Sequence, residues 1–427
     1  MTSQNDAKDG ARLRLTINVL LVVYVLNFLD RQIVGILAQP IAKDLHLTDF
    51  HIGMMTGLAF ALFYTSLGIP IARFADRPST SRVKVIAACL VVWSAMTAVC
   101  GAAQTFVQLF LARVGVGIGE AGGTPPAHSL IAEMASPEKR ASALSLYQLG
   151  PPLGGLIAMV MGGYLADSIG WRWAFVVVGA PGILLSLVVL TLLRDPRTDG
   201  SRPDAAKVPQ STLGEAFAHI WASRANRLIL LSVAFAATAN FGMLIWGPIF
   251  LQRSFGLSAH VTGLWFGLAN GVGSGLGVWY GGNLGDRLIK RGKQHLMSGP
   301  AICLALCCPL LVAGLLVPDW RLAVLLFFPG IGLMWLHVGP AYSAVQGLVP
   351  ITSRATASAA ILLMQNLFGL GLGSPLIGKL SDHFKPELGV DSVRYVLVVL
   401  VGVVTLAAAA LQWRSRKYLP EELDRAG

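Results

Sequence analysis

Apolar runs of about 20 residues recur along this chain, each long enough for a helix to cross a bilayer. They lie near 15–37, 50–72, 83–103, 106–132, 141–165 and 171–193, then near 227–250, 259–282, 297–317, 321–348, 355–379 and 393–413. In hydrocarbon every backbone N–H and C=O must find its partner inside the protein, and runs of this length read as helices, a barrel strand being about half as long. Composition agrees: 54% of residues are hydrophobic, 13% are charged and the mean hydropathy is +0.64, whereas a soluble domain carries about 25% charged residues. The expected fold class is an all-α membrane protein, with twelve transmembrane helices in two pseudo-symmetric six-helix bundles. The first fourteen residues are polar and the run from Leu15 to Leu37 has no small-residue cleavage site, so it reads as a first span rather than a removed signal peptide.

The net charge of +11 does not point to nucleic acid, because the basic residues sit mostly in short loops between apolar runs. They act there as topology determinants. Placing the N-terminus in the cytoplasm puts 24 Lys and Arg residues on that side and seven on the other, so both termini are expected inside a plasma (inner) membrane. Cys89, Cys100, Cys303, Cys307 and Cys308 all fall in apolar segments and form no metal pair. They read as packing residues.

Between the two sets of six lies Arg194 to Arg224, rich in Asp, Pro, Arg and Ser. Leu213, Phe217, Ile220 and Trp221 have helical spacing there, which predicts a short amphipathic helix on the membrane surface. The expected domains are residues 1–193, a cytoplasmic linker over 194–226, and 227–427 with a cytoplasmic tail. An internal repeat supports the division. Asp76-Arg77 and Asp286-Arg287 end matching loops 210 residues apart, Asp167 and Asp382 end matching Gly-x-Leu-x-Asp strings 215 apart, and Arg140 and Arg354 lie 214 apart. Two related six-helix halves are a transporter architecture, with the substrate site between repeats.

Charges inside spans carry the chemistry. Arg113 and Glu120 are seven residues apart in a glycine-rich apolar stretch, about two helical turns, and so share a face. Asp30-Arg31 forms a second intramembrane pair. Such charges face a bundle interior or a watery cavity and mark ion or substrate pathways. The bland alternative is an internal ion pair that only fixes packing, and the second pair weighs against it. Asp30 and Arg113 lie at similar depth and are expected to pair across helices, with Glu120 deeper. Proton-driven transport needs a carboxyl group that responds to access and to its partner.

The chain resembles the major facilitator superfamily over its whole length. Its Asp-Arg loops are similar to that family's cytoplasmic loop motif, with Ala72 where Gly is usual and Pro78-Ser79-Thr80-Ser81-Arg82 in place of a Gly-Arg-rich turn. Arg113 through Gly119 resembles its fourth-helix motif, and Gly150-Pro151-Pro152-Leu153-Gly154-Gly155 its exporter and antiporter motif. Within the superfamily the likeness is to the spinster family, in bacterial form. It is carried by Asn27-Phe28-Leu29-Asp30-Arg31, Gly115 through Ala121, Gly170-Trp171-Arg172-Trp173-Ala174-Phe175 and Pro181-Gly182. The resemblance implies alternating-access, proton-coupled movement of an amphipathic lipid, of lysophospholipid or sphingoid type.

Asp30 and Glu120 are the expected proton-coupling groups, with Arg31 and Arg113 tuning them and holding an anionic headgroup. Asp76, Arg77, Asp286 and Arg287 are the expected gate. Asn240, Trp246, Trp335 and Tyr342 lie on helices that line the cavity in this superfamily, where they flank an apolar tail or pack the core. His128 and His337 relay protons or pack. The glycines at 267, 271, 275 and at 273, 277, 281 are expected to bring the eighth span against the fifth. No HExxH, GxSxG or phosphate loop is present, so neither an enzyme nor a cofactor or metal is expected. The expected partners are a small amphipathic substrate, protons and the bilayer, with no nucleic acid and a monomeric chain. A multidrug antiporter and an organic-anion symporter are the alternatives, and a non-transporting receptor would leave the repeat and the buried carboxylates without purpose.

Overall fold

The computed structural model describes all residues except 1, 76, 78, 79, 198–212, 351, 352 and 427, and leaves aside the side chains of 2–9, 65, 69, 72, 137–141, 213, 216, 217, 286, 354, 355 and 426. The described residues are helical almost throughout, with no strand among them. Nine of their helices are long and apolar enough to cross a membrane, and one of these, Thr356–Ser415, holds two crossings. Two further helical stretches complete the expected twelve. One is Phe106–Ala121 with Thr124–Met134, interrupted between them, and the other is Ala259–Arg291, whose many glycines dilute its hydropathy.

Two compact units form. One comprises Met1–Leu47 and Ala59–Ala206, the other Thr48–Leu58 and Lys207–Gly427. The second span, Asp49–Ala75, is therefore divided: its first ten residues pack with the second unit. Within that stretch Met54–Leu58 winds as a π-helical turn, and so does Gln365–Gly373 in the eleventh span.

In the first unit the fourth span breaks immediately after the charge-bearing stretch. Gly122 and Gly123 end Phe106–Ala121, and Pro125 and Pro126 open Thr124–Met134. Proline has no N–H to donate and is suited to a helix's first turn. The tenth span breaks in the same way between Trp335 and Val338, so the repeat read from sequence extends to the breaks. Small residues set the close contacts, as they do where lipid removes the hydrophobic drive between helices. A Cβ at Gly119 would meet the Trp93 backbone nitrogen at 2.6 Å, and one at Gly154 would meet the Phe28 Cβ at 2.7 Å. These glycines seat the fourth span on the third and the fifth on the first.

In the second unit, Gly273, Gly277 and Gly281 point at the tenth span, where added Cβ atoms would strike Phe328, Gly332 and Leu336. This corrects the expectation that this side of the ladder meets the fifth span. Small residues fit wherever backbones approach closely, and sequence does not say which partner approaches. The linker helix, Leu213–Ala222, is present and docks on the second unit. Ile220 is buried with Ala225, Leu348 and Leu419, and the exposed Trp221 faces away. The tail is also tied down: helix Leu419–Ala426 brings the Glu422 carboxylate to the first backbone N–H groups of the seventh span, at 3.1 Å from Arg224 and 3.2 Å from Ala225. An anion there satisfies unpaired donors at the positive end of the helix dipole.

Candidate functional site

On the first span Asn27 and Arg31 are one turn apart and share a face, and the Arg31 Nη2 donates to the Asn27 Oδ1 at 3.4 Å. The same guanidinium reaches the fourth span and gives Glu120 Oε2 two hydrogen bonds, from Nε at 3.1 Å and Nη2 at 2.8 Å. Both go to one oxygen, so Glu120 Oε1 has no partner. Three aromatic rings surround the cation: Phe60 at 4.2 Å, Phe28 at 4.6 Å and Tyr64 at 4.9 Å from Arg31 Cζ. Ring faces attract a cation most strongly where water is excluded. Arg31 is thus held by neutral groups as well as by a carboxylate.

Asp30 points into a different environment. Arg113 is fully buried, but its Nη1 donates to the Asp30 backbone carbonyl at 3.2 Å, and no ion pair joins it to the carboxylate. This corrects the expected Asp30–Arg113 pair: a helical carbonyl keeps a spare lone pair, and the fork has settled on that. Arg113 Nε and Nη2 and Asp30 Oδ1 are buried and make no well-formed hydrogen bond. Thr97 and Trp93 neighbour the Asp30 carboxyl, and Arg113 and Glu120 act on it electrostatically. Buried polar atoms are almost always paired, so this cluster of orphans is unusual. Four charges, two on each of two spans, therefore meet in one largely buried cluster, with Arg31 on Glu120 and Arg113 on the Asp30 carbonyl.

The remaining candidates do not join it. Trp246 is buried in the second unit and donates from its indole to Ser374 Oγ at 3.2 Å. Trp335 packs beside Gly277. His337 is buried at the break of the tenth span with Nδ1 2.6 Å from the Met334 carbonyl. Tyr342 packs on the core that holds Ile220, and Asn240 is buried. His128 lies edge-on to Tyr147, ring centroids 5.2 Å apart, and contacts Gln148 at 3.3 Å. Of the gate residues, Arg77 sits over Phe74 at 5.5 Å and Arg287 is exposed. Asp76 and the side chain of Asp286 lie outside the described residues.

Two ionic clusters were missed by sequence reasoning. In the second unit Arg253 grips the buried Asp49 with both arms, at 2.5 and 2.7 Å, and Ser381 Oγ donates to Asp49 Oδ2 at 2.7 Å. Asp382 accepts from the Asp49 and Phe50 N–H groups at 2.9 and 2.8 Å, which caps the start of the second span. In the first unit Arg82 is fully buried, with its Nη2 2.5 Å from Asp195 and its Nη1 2.8 Å from Glu133, and Glu133 also takes Arg197 at 2.9 Å. Burial opposes the charge on Asp195, but the Arg82 guanidinium and backbone N–H outweigh it and hold the carboxyl below its ordinary range. The available signal was a charge at the end of an apolar run, read only as topology.

The model of the Major Facilitator Superfamily matches residues 20–374. An MFS-type efflux pump of Mycolicibacterium smegmatis is 34% identical over 426 residues, covering 100% of this chain and 98% of its own. Protein spinster homolog 1 of Xenopus tropicalis is 25% identical over 430 residues, 92% of this chain and 80% of its own. Among solved structures, a bacterial homologue of the human lysosomal transporter spinster, inward-facing and unoccupied, superposes with a TM-score of 0.86 at 29% identity, covering 96% of this chain and 98% of that one.

Proposed function

Because the chain belongs to the major facilitator superfamily, a family of membrane transporters, and within it resembles spinster proteins, we propose that it is a proton-coupled carrier of an anionic, lipid-like amphiphile. The observation that carries this reading is the unequal satisfaction of the buried charges. Glu120 is bound by Arg31 through one oxygen, while Asp30 Oδ1 and two Arg113 nitrogens are unpartnered. Protonating Glu120 removes the negative charge opposite Arg31, whose fork is then free for a phosphate or carboxylate. The three rings keep that fork in place meanwhile. Deprotonation restores the pair and expels the anion, so the Glu120 carboxylate and the substrate compete for one cation, and proton and substrate bind together. Asp30, on the adjacent residue, supplies a second titrating group, and Arg113 a second donor set.

On this reading residues 1–193 and 227–427 are the two functional halves, joined by the linker 194–226. Asn240, Trp246, Trp335, His337 and Tyr342 serve the apolar tail from the second half, and Asp76, Arg77, Asp286 and Arg287 gate the cytoplasmic side. The chain works as a monomer in the plasma membrane with both termini cytoplasmic. The name of the M. smegmatis relative supports a second reading, a proton-driven multidrug antiporter using the same carboxylates.

Liposomes holding the purified chain, with an imposed pH gradient, test both. Accumulation of lysophosphatidylglycerol with proton movement supports the first reading, and accumulation of a cationic dye supports the second. Asp30→Asn and Glu120→Gln should each abolish proton-driven accumulation, with exchange down a substrate gradient surviving in at least one. Wild-type coupling in the double variant would make this cluster a packing device.

A further inference from the structure

On an exposed apolar side of the second unit, the eighth and tenth spans form an open groove of about 440 Å³. That is within the usual ~300–1,000 Å³ of small-molecule sites. Its position follows from the glycines. At Gly273, Gly277 and Gly281 the two backbones touch, and toward the start of each helix the lining positions carry Trp265, Leu268 and Val272 on one side and Leu325 and Phe328 on the other, with a groove between them. The walls are apolar, including Leu268, Val272 and Leu325, and two tryptophans, Trp265 and Trp320, stand at the mouth with ring centroids 6.3 Å apart. Arg321 completes the mouth, exposed and 5.0 Å from the face of Trp320. Asp319 is spent on capping the Arg321 backbone N–H at 2.7 Å, and no carboxylate pairs with the guanidinium among the described residues. From Trp265 to Val272 the groove runs about 10 Å along the helix axis, two-thirds of the roughly 15 Å depth of one leaflet's hydrocarbon.

We propose that this groove is a binding site for an anionic phospholipid, with one acyl chain lying between Trp265 and Val272 and the phosphate against Arg321. The charge complementarity decides among lipids. Tryptophan at the interface accepts any headgroup, but an unpaired guanidinium selects an anionic one. A flat lipid-facing helix pair would bind no lipid preferentially, whereas a groove as deep as most of a leaflet holds one chain in a fixed place. The site is separate from the buried charge cluster of the first unit, so it stands whether or not that cluster moves protons.

The test uses the full chain in vesicles of phosphatidylcholine doped with either phosphatidylglycerol or phosphatidylcholine carrying a photoactivatable acyl chain, with crosslinked residues mapped by mass spectrometry. Photoactivatable phosphatidylglycerol should label Leu268, Val272 and Leu325 in preference to phosphatidylcholine. Arg321→Gln should reduce that labelling about fivefold, the usual weight of one basic residue at a lipid surface, and leave the phosphatidylcholine signal unchanged. Ala269→Trp, which fills the groove, should remove both signals there, with labelling elsewhere on the chain intact. Equal labelling by the two lipids, or labelling insensitive to Arg321→Gln, overturns the proposal and leaves ordinary annular lipid.

Discussion

The charge cluster around Asp30 and Glu120 and the one around Asp49 and Arg253 have the same ingredients and opposite bookkeeping. Asp49 takes both arms of Arg253 and a serine hydroxyl, and its own backbone N–H is capped by Asp382. Around Asp30 and Glu120, by contrast, one carboxylate oxygen on each and two guanidinium nitrogens have no partner. A fully satisfied buried network fixes one geometry, while a partly satisfied one is expensive in stability. It survives where binding or proton movement makes use of the unused groups. Hence charge in a membrane helix does not by itself mark function. How completely that charge is answered is the better guide.

Melting of the detergent-solubilised chain breaks or sharpens this contrast. The largest effect is expected from Asp49→Ala, which leaves Arg253 without its carboxylate and should cost roughly 3 kcal/mol. A melt equal to wild type would erase the comparison. Asp195→Asn comes next, at about 2 kcal/mol, because Arg82 keeps Glu133 while losing its shortest partner. This cluster also has a pH signature. Because the folded Asp195 carboxyl lies below its ordinary value, its contribution is complete above the unfolded value of about 3.9 and is lost as pH falls through the lower folded value. Wild type and Asp195→Asn should therefore differ at pH 7 and converge below about pH 4, and a constant gap would refute the assignment.

Glu120→Gln should cost only about 1 kcal/mol, since Asn27 and the rings of Phe28, Phe60 and Tyr64 still hold Arg31, while on the proposed mechanism it should abolish proton-driven accumulation. A loss as large as that of Asp49→Ala would mean that this pair is structural too. The smallest effect is expected from Phe60→Leu, about 0.5–1 kcal/mol, with weaker binding of anionic substrate as its clearer readout.

The helical fold was legible because hydrocarbon allows so little else: run length and loop charge define the spans without any tertiary detail. The meeting of these four charges was legible for the same reason, since Asp30, Arg31, Arg113 and Glu120 all lie within apolar runs and charges there face the bundle interior. Their pairing was not, because Arg113 chose a backbone carbonyl that every residue possesses. Arg253 and Asp49 looked like loop charges, and only their folded neighbours reveal a network between residues 204 apart. The ladder at Gly273, Gly277 and Gly281 announced a close neighbour without naming it, since a missing side chain carries no address.

The division of the second span has a mechanical consequence. Residues Thr48–Leu58 are pinned by Arg253, Ser381 and Asp382, the rest of the span belongs to the other unit, and the π turn Met54–Leu58 occupies the changeover. Rewinding such a turn to α moves one residue through the helix and rotates everything beyond it by roughly 100°. The five residues Met54–Leu58 are thus the stretch of this span where winding can change by one residue without interrupting the helix.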